Sequence, residues 1–254
     1  MMSLDAAMGV IETPEITDLK TSAFTPGDVV NLILQRSEIV KDHPEFNKAM
    51  KAWKNGDDAP FLALVDTLGI DLLVRRAAAF IYLEYLRLRP VFAANPPKSI
   101  ADIGCGYAMF DLFLAKEFGC KLHLIDLESN DIRRFGFKPE AAAYSSLTVA
   151  RTFLTDNGIP AKSVKTLNPE KDAVDALRDL DFAFSFISCG YHYPWHTYRK
   201  LFEDGVGKSG KIIIDIRQRT LGRLLPELSD IGYVRYLDKA AFDTADRIII
   251  AKTV

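Results

Sequence analysis

Cysteine is scarce in this chain: Cys105, Cys120 and Cys189 are the three in 254 residues. An odd number without metal-type spacing argues against a disulfide framework and predicts small buried thiols in a reducing, cytoplasmic setting. Long hydrophobic runs are missing too. The most apolar helix candidate, Asp71 to Arg89, contains Arg75, Arg76, Glu84, Arg87 and Arg89, so no membrane span is expected. Net charge is almost absent, with 32 Lys and Arg against 34 Asp and Glu. That removes the electrostatic ground for nucleic acid or an anionic membrane as the main partner. Met1 to Ile16 has no basic stretch followed by an apolar run, and predicts no signal peptide. Repeats and low-complexity tracts are lacking. What remains, 48% hydrophobic residues, is an ordinary globular composition for one domain with an extension.

Residues 1–22 are polar and aperiodic and read as a loose tail. Thr25-Pro26-Gly27-Asp28 supplies a cap, a first-turn proline and an early acid for a helix running to about Val40. A second helix lies between His43-Pro44-Glu45 and Asn55-Gly56, and a third spans about Ala59 to Leu68. A fourth, from Asp71 to Leu88, is expected to stop at Pro90. Residues 1–96 are thus a helical N-terminal extension, either a brace or a lid over a ligand.

From Ser99 short apolar runs alternate with helix-length segments, the pattern of a parallel sheet with crossovers. Strands are expected at Ser99 to Ile103, Lys121 to Asp126, about Ser163 to Leu167, Phe182 to Ser188 and Lys211 to Ile216. After a helix from Thr220 to Ser229 come Tyr233 to Leu237 and Arg247 to Lys252, separated by too few residues for a helical crossover. The predicted fold of residues 97–254 is α/β: a doubly wound, seven-stranded, mostly parallel sheet with an antiparallel terminal hairpin. Gly207-Lys208-Ser209 lacks the upstream glycine of a phosphate loop and is read as a turn.

The first strand runs into Asp102-Ile103-Gly104-Cys105-Gly106-Tyr107-Ala108 and then at once into a helix. Gly104 and Gly106 suit a turn where φ becomes positive and a ligand meets bare backbone. A carboxylate at Asp102 would repel a pyrophosphate and suit a cation. Asp126 follows 24 residues later, near the spacing of a ribose-binding acid, with Glu128 as its alternative. On these residues the chain resembles the class I S-adenosylmethionine-dependent methyltransferases, whose first motif is acid-x-Gly-x-Gly-x-Gly, with Ala108 in place of the third glycine. The resemblance covers residues 96–254. It implies S-adenosylmethionine as cofactor, with contacts at Asp102, Gly104, Cys105, Gly106, Asp126, Leu127 and Ser188. Asn168 and Pro169 would meet the adenine, or form a simple turn.

After the fourth strand, Ser188-Cys189-Gly190-Tyr191-His192-Tyr193-Pro194-Trp195-His196 is dense in aromatics and histidines, at the rim where open α/β sheets bind ligands. His192 is the candidate base for a hydroxyl acceptor, with His196 nearby; each could instead be a structural hydrogen-bonding histidine. Tyr191, Tyr193 and Trp195 offer stacking surfaces or loop anchors. Together with Tyr144-Ser145-Ser146-Leu147 and Asn157-Gly158 upstream, the Gly-Tyr-His-Tyr-Pro run is similar to bacterial sugar O-methyltransferases. Asp215 is the single acid nominated for a magnesium ion, so no metal is predicted. Arg217 is assigned to an acidic or polar group of the acceptor.

The expected activity is methyl transfer from S-adenosylmethionine to a small-molecule hydroxyl, with a sugar or sugar-containing metabolite as the leading acceptor and a homo-oligomer left open. The rivals are a non-catalytic cofactor binder of the same fold and an NAD-dependent oxidoreductase. The latter is disfavoured by Asp102, by Met109 where Gly-x-Gly-x-x-Gly requires glycine, and by the terminal hairpin.

Overall fold

The structure is a computed structural model describing residues 4–127, 145–240 and 244–253. Glu128 and Tyr144 lie outside the described residues. The strands are β1 (Ser99–Ile103), β2 (Lys121–Ile125), β3 (Val164–Leu167), β4 (Leu180–Ser185), β5 (Ser188–Tyr193), β6 (Val206–Arg217), β7 (Tyr233–Lys239) and β8 (Ala245–Ala251). Seven of them form one sheet in the order β3-β2-β1-β4-β6-β8-β7. The pairs from β3 to β6 are parallel, and β8 inserts antiparallel between β6 and β7. The predicted terminal hairpin is therefore present.

The fourth strand ends three residues earlier than expected. Ile187 has φ 50°, a left-handed conformation that a β-branched residue resists, and its N–H donates to Asp215 at 3.1 Å. That turn breaks the ladder and sends β5 off as a separate extended segment packed on β6. The packing is close: a Cβ on Gly190 would lie 2.9 Å from the Asp215 carbonyl oxygen.

The helices are α1 (Leu4–Met8), α2 (Pro14–Thr17), α3 (Pro26–Gln35), α4 (Phe46–Lys54), α5 (Ala59–Leu68), α6 (Ile70–Ala93), α7 (Met109–Phe118), α8 (Leu147–Asp156) and α9 (Gln218–Ser229). Thr25 and Asp28 form the reciprocal capping box that opens α3. Residues 4–19 are not the loose tail expected of them. Ala7, Ile11, Ile16 and Leu19 are buried, and Arg75 of α6 donates to the carbonyls of Ile16, at 3.2 Å, and of Thr17. Their apolar residues are too few for a periodic signal, and a distant arginine supplies the missing caps.

Pro90 does not end α6 either. A proline inside a helix costs about 3 kcal/mol. Continuing by one turn buries Phe92 against Phe182, Phe184 and Phe110, at ring-centroid distances of 4.8, 6.1 and 6.0 Å. A buried phenylalanine contributes about 3–5 kcal/mol, enough to offset the proline.

Strand alternation distributes the core. Ile100, Leu122, Leu124, Phe182 and Phe184 face a cluster that includes α3, α5, α6 and α7, whereas Ala101, Ile103, Ala183 and Ile212 face Trp195, Phe202 and Leu228. The helices of residues 4–93 therefore share one continuous apolar core with the sheet.

Candidate active site

The carboxyl ends of β1 and β4 are the place where the strand order reverses, the usual ligand crevice of an open α/β sheet. There the chain makes a tight turn, with φ of 77° at Gly104 and 58° at Gly106. The Gly104 N–H donates to Ile125 O at 2.7 Å, and the Gly106 N–H donates to the Asp126 carboxylate at 2.7 Å. Asp126, nominated from its spacing to Asp102, thus latches the glycine turn through Gly106. Glycine is required at 104, because a Cβ there would lie 2.1 Å from Ser188 Oγ. Ala108, in the third glycine's place, adopts φ 55° and is fully buried. An alanine in that region costs about 1–2 kcal/mol, which the start of α7 absorbs.

Ser188 forms the opposite wall, its hydroxyl 3.0 Å from the Tyr193 hydroxyl. Burial pushes the Tyr193 phenol up, so it stays protonated. On the β2 side, the Asp126 N–H donates to Leu167 O at 3.2 Å, drawing the ends of β2 and β3 together. Leu127 there is exposed, an apolar surface beside the buried Asn168. Asn168 builds a turn: its Oδ1 accepts from Glu170 N–H at 3.0 Å, and its own N–H donates to Asp172 at 2.8 Å. Pro169 continues that turn.

Asp102 is not the free charge that the sequence suggests. It is buried, and burial followed by the neighbouring Asp111 carboxyl holds it well above the usual carboxylate range. Asp111, in the first turn of α7, is pushed by burial up to about 7, with Asp102 opposing that rise. Neither Asp111 oxygen has a partner of ordinary hydrogen-bond geometry, so burial dominates the pair. Near neutrality the free protein keeps a proton on these two carboxyls. Burial, and then the Asp126, Asp102 and Asp111 carboxyls, raise the Cys105 thiol.

This pair carries a stability prediction. Between the ordinary value of 3.8 and about 7, folded Asp111 binds more protons than unfolded Asp111. Its contribution is therefore full below about pH 4 and is lost as the pH rises to about 7. Asp111→Asn, neutral throughout, is expected to exceed the wild type in stability by about 1–3 kcal/mol at pH 8 and to lose that advantage toward pH 4. Urea midpoints across this range check it. A difference that does not vary with pH would remove the pair as the cause.

In β5, His192 is half-buried, with the Tyr191 ring edge-on at 5.0 Å. Burial, and then Arg217, hold its imidazole below the ordinary value. Arg217 is already engaged: its Nε donates to Tyr191 O at 2.5 Å and its guanidinium lies 4.3 Å from the Tyr191 ring centroid. The Tyr191 hydroxyl is 2.9 Å from Thr244 Oγ1. Arg217 thus anchors β5 and covers one face of the Tyr191 ring. Trp195 is 1% exposed, within the core, and presents no stacking face. It is a loop anchor. His196 is exposed, in the single 3-10 turn of Trp195–Tyr198.

Asp215 is completely buried and takes two hydrogen bonds from Arg247, at 2.6 and 2.7 Å. Arg247 also donates to Glu84 at 2.6 Å, and Arg36 donates to Glu84 at 2.9 Å. Asp215 is therefore part of an ion chain rather than a free ligand. Among the described residues, no three His, Cys, Asp or Glu side chains gather as a metal site. No described helix is long and apolar enough to cross a membrane. A groove of about 790 Å³ bounded by Arg178, Glu203, Val206 and Lys252 lies at the start of β6, the opposite end of the sheet from the glycine turn.

Sequence reasoning missed Asp111, Glu84 and Arg247. Asp111 had a faint signal, an acid among apolar residues in the helix that follows the glycines. The others come from distant elements and had none.

No protein-family model and no curated protein sequence matches the chain. Solved structures do share its architecture. The S-adenosylmethionine-dependent methyltransferase SibL in its apo form is 15% identical with a TM-score of 0.48, the match covering 89% of this chain and 74% of that one. A candidate O-methyltransferase of Nostoc punctiforme PCC 73102 is 12% identical with a TM-score of 0.48, covering 98% and 73%. The methyltransferase domain of bacterial CtHen1-C is 14% identical with a TM-score of 0.49, covering 67% and 97%. Likeness at this level assigns no activity to this chain, and the functional argument rests on the geometry of the turn.

Proposed function

We propose that this protein is an S-adenosylmethionine-dependent methyltransferase acting on the hydroxyl of a small molecule, with a sugar as the leading acceptor. The observation that carries the reading is the Gly104–Gly106 turn, latched by the Asp126 carboxylate at the β1/β4 switch point. The residues fit the cofactor. The Asp126 carboxylate holds the Gly106 N–H, and a carboxylate at the end of β2 is an acceptor suited to ribose hydroxyls. Leu127, Asn168 and Pro169 border the adenine position, and Gly104, Cys105, Gly106 and Ser188 line the remainder. The Asp126 carboxylate at the turn favours a cation over a dinucleotide's pyrophosphate. An antiparallel β8 inserted between β6 and β7 likewise departs from the 3-2-1-4-5-6 strand order of the NAD fold.

When bound, S-adenosylmethionine supplies an electrophilic methyl group. The chain must then orient an acceptor in line and take its proton. His192 is the proposed base: its depressed proton affinity keeps the imidazole neutral and able to accept at neutral pH. Tyr191, Tyr193 and His196 are the proposed acceptor surface, with Arg217 fixing Tyr191. Residues 1–96 are the helical extension that covers the cofactor domain of residues 97–254. The near-zero net charge supports a small acceptor over nucleic acid, and the unpaired buried cysteines support a cytoplasmic setting.

The direct test is thermal unfolding with adenosylhomocysteine or NAD. Only the former should raise the melting temperature, since a ligand of the folded state stabilises it. Asp126→Asn keeps an acceptor for Gly106 N–H but loses the charged oxygen. It is expected to weaken adenosylhomocysteine by about 1.5–3 kcal/mol in calorimetry. Unchanged affinity would take the ribose away from Asp126.

A further inference from the structure

The last residue of α3, Gln35, stands over the glycine turn. A Cβ placed on Gly106 would lie 3.5 Å from Gln35 Oε1 and 3.9 Å from Nε2. The amide therefore approaches the bare side of Gly106 from the N-terminal helices, across from the β-sheet residues that form the rest of the crevice.

Two ties flank Gln35 and fix its helix there. On one side, the Tyr107 hydroxyl, from the turn itself, donates to Asp28 at 2.9 Å and lies 3.2 Å from Asn31 Nδ2. On the other, Arg36 donates to the buried Glu84, which Arg247 holds from β8. The end of α3 is thus clamped both to the glycine turn and to the ion chain beneath the opposite wall.

The inference rests on the proposed cofactor and deepens it. With the ribose on Asp126 and the adenine toward β3, the other end of the cofactor must cross Gly104 and Gly106 toward Ser188. That end carries a carboxylate and an ammonium. A primary amide matches both, because it presents N–H donors and a carbonyl acceptor on one planar group.

We propose that Gln35 is a cofactor-binding residue, supplied by α3, that recognises the α-amino-acid end of S-adenosylmethionine. The N-terminal helices then form part of the cofactor site itself, and residues 97–254 alone would be an incomplete one.

The test compares two nucleosides on the full chain by calorimetry: adenosylhomocysteine, and 5′-methylthioadenosine, which lacks the amino-acid end, with competition used for the weaker ligand. Gln35→Ala is expected to weaken adenosylhomocysteine by about tenfold or more, as for a hydrogen bond to a charged group. Its affinity for methylthioadenosine should stay within about twofold of the wild type. Equal losses for both nucleosides would mark a general structural role and overturn the assignment, as would no loss for either. Wild-type protein that binds neither nucleoside would overturn the proposed function and this inference with it. Gln35 is half-buried at a helix end, so the variant should fold, and an unfolding curve close to that of the wild type checks this.

Discussion

Replacing Arg247 by methionine is expected to destabilise the protein by about 3–5 kcal/mol at pH 7, the range for breaking a buried ion pair from one side. Arg247 is 3% exposed and Asp215 is fully buried. The guanidinium satisfies both oxygens of Asp215, reaches one of Glu84, and lies 4.1 Å from the Phe186 ring centroid. Without it Glu84 keeps Arg36, but among the described residues Asp215 keeps only the Ile187 N–H. The two acids already differ for this reason. Burial would raise Glu84, yet Arg247 and Arg36 together hold it below its ordinary value, whereas burial outweighs Arg247 at Asp215 and raises it.

Asp215 in the variant should protonate more readily still, so the loss should shrink as the pH falls from 7 toward 5. Pairing the change with Asp215→Asn should recover much of it, because replacing both partners leaves no orphaned charge. Urea unfolding measures each step. A loss below about 1 kcal/mol at pH 7 would mean that water or another cation already serves Asp215.

His192→Ala is expected to lower turnover by about 10²–10⁴-fold, the range for a positioned general base, with adenosylhomocysteine affinity nearly unchanged. A sugar hydroxyl is a weak nucleophile near neutrality, and a reaction without metal assistance needs a group to accept its proton. Since burial and Arg217 both depress the His192 imidazole, the acid limb of the rate should fall below the ordinary value of 6.5. Above it the base is neutral and the rate should be flat. A screen of hydroxylated acceptors supplies the substrate. Wild-type-like turnover by His192→Ala on an accepted hydroxyl would move the role to His196.

Much of this molecule is legible because its signals are local. Gly104 and Gly106 are needed by the backbone of their own turn, Thr25 and Asp28 cap their own helix, and the short separation of β7 from β8 permits only an antiparallel pair. The strand edges fared less well. Nothing near Ile187 foretells its left-handed conformation, because the acceptor of its N–H, Asp215, lies 28 residues away. The same holds for the first helices, whose carbonyls meet Arg75 from α6.

The candidate site divides along the same line. Asp126 could be nominated from spacing, since β2 runs beside β1 and must end near the glycine turn. Trp195 and Arg217 could be nominated as ligand surfaces but not placed, because a tryptophan in a loop and one in a core have the same local sequence. Asp102 could be recognised as an acid in the motif, while its protonation depends on Asp111 and on burial that only packing creates.

The amino-acid sequence by itself determined the sheet's alternation of strands and helices, the glycine turn and the terminal hairpin. Each follows from backbone preferences and apolar periodicity within a few residues. Only the tertiary structure decided that α3 brings Gln35 over Gly106 and that Arg247 joins Glu84 to Asp215, because those contacts depend on how helices and sheet share one core. Burial then decided which of the acids around the turn keep their charge, since the cost of ionisation is set by the surroundings and not by the residue alone.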